Sequence, residues 1–464
     1  MINMKMKNRI LIFFATSLAM LFFTVSCSSD LDDVKPRHAI PQEDVSENDM
    51  VKILNGVYAK MESYTFSLWF NDDIQGENFA TSTGITPMPD PCNMSPDNIN
   101  SNINVLSYWR NSFSALYQVN YLLGMYERSA NKETVAMKNI GSACYYFRAF
   151  IYYRLATHFG NVPVIRECTD EIIPISPESE VWEFVEENLA KALEIASDDT
   201  RWFVGKDAVN ALAARTALFL GKGVEAAQYA EEVLANSAYA LVNSAMDFSS
   251  IFLPDSSSKE IIFGFVNNTR TSSYCNFAGV VNDVDGNWDY SPAPECYSSL
   301  FADDTKFQRT GDIRHFATFQ SNPVNSNRVI KFSNGKQQLA KNDDYLHTPV
   351  IVSRIAEMYL ISAEGKGKTD GAKRLHEFLK KRYATCLTEN EIKNLPDREY
   401  QNLILDERRR EFYAEGMRWQ DVKRTQRYDL LKTLRDRTYL MYYPIPQAEI
   451  DIAGKEAYPQ NPGY

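Results

Sequence analysis

Leu403–Arg424 reads LILDERRREFYAEGMRWQDVKR. Leu, Glu, Arg and Ala dominate it, proline is absent, and Pro396 closes off the segment before it. That composition predicts one continuous helix. Ile404, Phe412, Trp419 and Val422 can share one buried stripe along it. Carboxylates and guanidiniums are densely mixed between Asp406 and Arg424. Two readings of those charges compete. On a helix, Glu411 and Glu415 lie one turn apart, roughly 6 Å between Cβ atoms, near the carboxylate separation of a retaining glycosidase. Alternatively, the arginines of the stretch neutralise its acids, and the helix is an ion-paired structural element. A general acid needs a pKa tuned toward the working pH, whereas arginines push a carboxyl the other way. The ion-paired reading is preferred, and no catalytic residue is assigned.

Bulk composition bounds what the rest of the chain can be. Its 464 residues suffice for one large domain or two ordinary ones. A hydrophobic content of 44% with 23% charged residues is that of a soluble globular protein. A net charge of -11 argues against nucleic acid or an anionic membrane surface as the main partner. No spacing among the Cys and His residues reads as a zinc site, and no stretch calls for a cofactor. Cysteines such as Cys144, on a helix, are as readily free and buried as paired.

In chain order, residues 1–27 read as a secretion signal. Lys5, Lys7 and Arg9 form its basic region and Ile10–Phe23 its apolar region. It ends in Thr24-Val25-Ser26-Cys27, which resembles a bacterial lipobox with Thr24 in place of the usual Leu, and Cys27 is the expected lipidation site. Residues 28–45, opening SSDLDD, read as an acidic tether kept extended by Pro36 and Pro41. Residues 46–464 are then expected to form one domain.

Helices are predicted over Asp49–Thr65, Val105–Arg128, Asn139–Phe159, Pro177–Ala196, Lys206–Leu220 and Val224–Leu234. Trp109 falls on an apolar helical face and reads as core. Gly160 caps the third helix. The last two helices meet through Gly221-Lys222-Gly223 and carry Ala226, Ala227 and Ala230 at contact positions, a TPR-like plan. Met358–Tyr383 repeats that plan across Gly365–Gly371. Asn71–Asn104, rich in Asn, Ser, Pro and Gly, reads as a long irregular loop. Tyr239–Thr348 loses helical periodicity and reads as an insertion with short strands at Ile261–Phe265 and Arg328–Phe332.

Four stretches resemble a known family. ERRREF…EG-RW-D--R within Leu403–Arg424 is similar to the C-terminal motif of the SusD/RagB-like lipoproteins of Bacteroidetes. YPIPQAEIDIAGKEAYPQNPGY (Tyr443–Tyr464) resembles their YPIP…E…QNPGY ending. RAFIYYRLATHFGNVPVI (Arg148–Ile165) and RIAEMYLISAE (Arg354–Glu364) resemble two of their helical segments. The resemblance implies a mainly α fold, with TPR-like hairpins supporting a loop-rich half that contains short strands. It implies capture of a nutrient, a glycan in the first place or a peptide as RagB-like relatives do. Handover to a SusC-like TonB-dependent transporter at the outer membrane is implied as well. A surface glycosidase is the reading from another class.

Sugar recognition needs an apolar face for the ring and polar groups for its hydroxyls. Trp288 and Tyr290, flanked by Asn287 and Asp289 beside the Asp285-Gly286 turn, supply both. Two residues apart, the two rings share one side of an extended segment. Tyr274 and Asn276 can add to them, and the resemblance, to a family whose ligand pockets are built from loops, implies that Asn71–Asn104 supplies an opposite wall through Asp72, Asp73 or Asn93.

Overall fold

The computed structural model describes residues 45–81, 103–197, 201–253, 256–267, 275, 277–281, 290–321, 327–333, 348–435 and 437–464. The expected signal, the tether up to residue 44, Cys27, Cys92 and Asn93 lie outside those residues. Met50–Tyr464 forms one compact unit. No helix among the described residues is long and apolar enough to cross a membrane.

The first half is helical. α1 (Glu47–Gln75), α2 (Ile103–Arg128), α3 (Val135–Phe159) and α4 (Glu178–Ile195) follow one another. Thr134 starts α3 by accepting the Met137 amide, and Gly160, at φ +72°, ends it as expected. Trp109 is core, at 3% exposure. α1 runs on to Gln75, beyond the expected end at Thr65. Asn71, Asp72 and Asp73 read as loop residues because such side chains compete with the helix backbone. Here all three are buried, and the two aspartates are bound by distant partners, so tertiary contacts override local preference.

The TPR-like plan is realised twice. α5 (Lys206–Phe219) and α6 (Gly223–Leu234) form one hairpin. α7 (Ile355–Arg382) is interrupted at Gly367, whose φ is +70° and ψ 174°. In a straight helix Ala363 and Gly371 would be ~12 Å apart. Instead, a Cβ on Gly371 would collide with the Ala363 carbonyl oxygen, so the chain doubles back at Gly367. The two hairpins dock through glycines. A Cβ on Gly365 would strike the Gly223 carbonyl, and one on Gly223 would lie 3.2 Å from the Gly365 carbonyl. Ala226, Ala230, Ala356, Ala363 and Ala372 pack around this approach with Leu360, Leu375 and Phe378.

The predicted helix over Leu403–Arg424 is two helices, α8 (Asp397–Glu411) and α9 (Arg418–Arg424). Between them Ala414 and Gly416 take φ of +63° and +74°. Gly416 passes so close to α1 that a Cβ would sit 2.7 Å from the Trp69 carbonyl oxygen. Asp73 of α1 accepts the Ala414 amide at 3.2 Å and the Gly416 amide at 2.6 Å. The turn is therefore imposed by a residue more than three hundred positions away. Ile404, Phe412, Trp419 and Val422 are nonetheless all buried, as their spacing required.

Short strands tie the loop-rich half to this scaffold. β1 (Phe79–Thr81) pairs with β3 (Tyr290–Pro292), and β2 (Ile261–Phe265) with β4 (Val350–Arg354), both antiparallel. Every residue of β2 is buried. The second expected strand shrinks to Arg328–Val329, followed by a 3-10 turn over Lys331–Ser333. Cys144, Cys275 and Cys296 are buried free thiols.

The glycine contact sets the first prediction. Gly365→Ala should destabilise the protein by about 1–3 kcal/mol, as overpacking does, read from its denaturant midpoint. An unchanged midpoint would mean that the hairpins do not meet there.

Candidate functional site

The acids of Leu403–Arg424 form a sealed centre. Glu407 and Glu411, one turn apart at the end of α8, are both 0% exposed. Glu411 accepts from Arg314 at 3.1 Å, from Arg354 at 2.8 Å and from Arg382 at 2.8 and 3.0 Å. Glu407 accepts from Arg309, from Arg314 at 3.0 Å and from the Tyr383 hydroxyl at 2.6 Å. Glu260, beside β2, is held by Arg354 and Arg382, each at 2.8 Å. Glu415 takes Arg354 at 2.7 and 2.9 Å and Lys331 at 2.5 Å. The Lys331 ammonium also caps the end of α8, donating to the carbonyls of Glu411 and Tyr413.

The partners differ from those expected. Arginines within the stretch serve other acids: Arg408 binds Asp421, Arg410 binds Asp406, and Arg424 binds Glu364 and Asp421. Glu407 and Glu411 instead draw on Arg309, Arg314, Arg354 and Arg382, from the insertion and from the two ends of α7. Burial alone would raise the Glu411 carboxyl. Arg382 and Arg354 outweigh it and hold the group well below the usual carboxylate range. Such a group keeps no proton to donate, and at 0% exposure no sugar reaches it. The glycosidase reading of Glu411 and Glu415 therefore has no support in this geometry.

Asp72 and Asp73, expected at a ligand wall, are also interior. Asp72 meets Arg154 at 2.9 Å, His158 at 2.6 Å and the Gln420 amide at 2.8 Å. Burial would raise its carboxyl, but Arg154 and His158 keep it lowered. Asp73 has only the Asn78 amide and the two backbone amides of the 412–417 turn. Without a cation, burial pushes it up to about 7.

The loop side is built on a ribbon. β1 and β3 end with Thr81 opposite Tyr290. The chain therefore enters 82–102 and leaves 282–289 at neighbouring residues. Beneath the ribbon lies a packed set of rings. Trp69 and Phe277 are 4.9 Å apart, Phe277 and Phe332 4.7 Å, and Phe79 and Tyr290 6.2 Å. Tyr290 is 3% exposed. This corrects the expectation of an exposed Tyr290 ring: strand pairing with β1 turns it onto Phe79. Cys275, between Tyr274 and Asn276, is buried and held through both its amide and its carbonyl by Asn267. Tyr274, Asn276, Asn287, Trp288 and Asp289 lie outside the described residues. No group of acids, histidines and cysteines able to hold a metal occurs among the described residues.

Comparison with known proteins matches two family profiles. Residues 317–433 match the SusD family, and residues 31–218 match a family described as starch-binding associating with outer membrane. Over these two stretches the chain is SusD/RagB-like. A SusD-like protein P2 of Formosa agariphila is 23% identical, over 97% of this chain and 99% of its own. Among solved structures, a SusD-like carbohydrate binding protein from Bacteroides vulgatus superposes with a TM-score of 0.65 at 19% identity, covering 82% of this chain and 84% of its own. A laminarin binding SusD-like protein gives 0.69 at 21%, covering 90% and 99%. These likenesses show the mainly helical SusD-like fold.

Each stretch that carries the SusD/RagB resemblance supplies a buried polar anchor. Arg154 and His158 of the first hold Asp72. Arg354 and Glu357 of the second meet Glu411 and Arg215. The ending is tied to α3 and to its own start: Asn461 donates to the Phe159 and Tyr443 carbonyls, and the Tyr464 hydroxyl to the Tyr442 carbonyl.

The sealed centre yields a prediction. Glu411→Gln should cost about 3–5 kcal/mol, because it leaves buried arginines uncompensated. A carboxyl lowered in the folded state stabilises above its unfolded pKa, and this contribution is lost as pH falls through the lower folded value. The variant should therefore lose less stability on acidification than the wild type. Equal acid sensitivity in urea titrations would remove Glu411 from that role.

Proposed function

We propose that this SusD-like protein is a cell-surface glycan-binding lipoprotein, anchored to the outer membrane through Cys27. It captures an oligosaccharide or polysaccharide and passes it to a SusC-like TonB-dependent transporter. The mechanism is binding without bond cleavage. The observation that carries the reading is the β1–β3 ribbon. It brings the entry to one Asn-, Ser- and Pro-rich loop beside the exit of the loop containing Trp288, in a family whose relatives include carbohydrate- and laminarin-binding proteins.

In this reading Trp288 offers a ring face to a sugar, with Asn287 and Asp289 reaching its hydroxyls and Tyr274 and Asn276 adding to the rim. Tyr290 fixes the loop from beneath. A scaffold of buried ion pairs with ligand groups on loops is a common division of labour, since loops vary without disturbing the core.

The two aromatic residues should behave oppositely. Trp288→Ala should weaken glycan binding by roughly tenfold, for about 1.4 kcal/mol of lost contact, with little change in melting. Tyr290→Ala should lower the melting temperature, since removing a buried aromatic costs about 3–5 kcal/mol. Calorimetry of residues 28–464 against polysaccharides and peptides, with melting curves on the same preparations, checks both. Binding of peptides alone would replace the glycan reading. A destabilised Trp288→Ala with intact affinity would remove Trp288 from the site.

A further inference from the structure

Arg418 breaks the rule the other buried arginines follow. It is 5% exposed, yet it makes no hydrogen bond or ion pair with any described residue, and its Nε is buried without an acceptor. Arg148, which also lacks a carboxylate, is at least filled by Asn188, Asn120 and the Arg166 carbonyl. A buried guanidinium left unpaired is costly, and native interiors rarely leave one so.

Its surroundings add positive charge. Burial and the neighbouring Arg409 push the Arg418 pKa down to about 10. Arg409 itself has only neutral partners: the Asn78 side-chain oxygen at 2.9 Å, the Glu77 carbonyl at 3.4 Å and the Cys296 sulfur at 3.1 Å. The acids nearby are already engaged. Asp406 binds Arg309 and Arg410, and Asp421 binds Arg408 and Arg424. The Glu77 carboxylate accepts from the amide and hydroxyl of Thr433, and Glu295 pairs with Lys432. The stem of Arg418 is pinned: a Cβ on Gly76 would fall 2.7 Å from its Cβ and 2.6 Å from its Cγ. Next to Gly76, Gln75 is 2% exposed, and neither its amide nitrogen nor its oxygen has a partner.

We propose that Arg418 and Arg409 form a binding site for a small oxyanion, a carboxylate or a phosphate. Guanidinium forks match the two oxygens of such groups, and a pair of them supplies the charge that one anion neutralises. Two sources share this chemistry, a sugar acid and free inorganic phosphate. The site does not depend on the glycan reading.

Melting of residues 28–464 at constant ionic strength tests the site. The probes are inorganic phosphate, glucuronate, and glucose as the uncharged counterpart, with chloride as reference. Phosphate or glucuronate should raise the melting temperature with a saturating dose dependence, and glucose should not. Arg418→Met should weaken the apparent affinity for the anion at least tenfold. Without anion it should melt at or above the wild-type temperature, because an unpaired buried charge is gone. Arg409→Gln should also weaken the anion effect. A response to phosphate alone assigns the site to free phosphate, and one to glucuronate alone to a sugar acid. Either result supports the proposal. No anion effect, an equal effect in Arg418→Met, or an Arg418→Met that is strongly destabilised without anion would overturn it.

Discussion

One carboxylate, that of Glu411, holds three arginines that reach it from three places in the chain. Arg314 comes from the insertion, Arg354 from the start of α7 and Arg382 from its end. Glu260, Glu407 and Glu415 share the same cations, and Lys331 adds the 3-10 turn of the insertion. Exchanging such a cluster for apolar packing is often neutral or favourable, so its net contribution to stability is modest. Its effect is selective. Any arrangement that misplaces one arginine strands a buried charge, and the cost of that is several kcal/mol. Misplacing the insertion on the helical hairpins is penalised for that reason.

This constraint separates the two halves in kind. The hairpins meet through Gly223 and Gly365, where backbones approach too closely for a side chain. The loop-rich half is stitched on by β2 with β4, by the ion cluster, and by rings from Trp69 to Phe332. The β1–β3 ribbon then rests on buried, closely packed rings.

The helices of the first half were legible from periodicity, because their apolar stripes face neighbours close in sequence. The ion-paired character of Glu411 was legible from composition. Its partners were not: they lie 97, 57 and 29 residues away, and a lone arginine in a loop gives no local signal. The break between α8 and α9 was hidden for the same reason. Helix-forming residues are bent there by Asp73, which itself read as part of a loop. Tyr290 read as exposed because alternation shows which residues share a side of a strand but not which side is covered. Its pairing with Phe79 and Thr81 decides that, and no pattern near residue 290 announces it.

The central claim is that the ion cluster welds the insertion and the helical scaffold into one cooperative unit. Native-state hydrogen exchange across a denaturant series measures this directly. The amides of β2 and β4, of α8 and of both hairpins should exchange through the same global opening, with one free energy and one denaturant dependence. If β2 and β4 instead exchanged through a much smaller opening while α8 and the hairpins stayed protected, the insertion would be an independent layer and the account would be wrong.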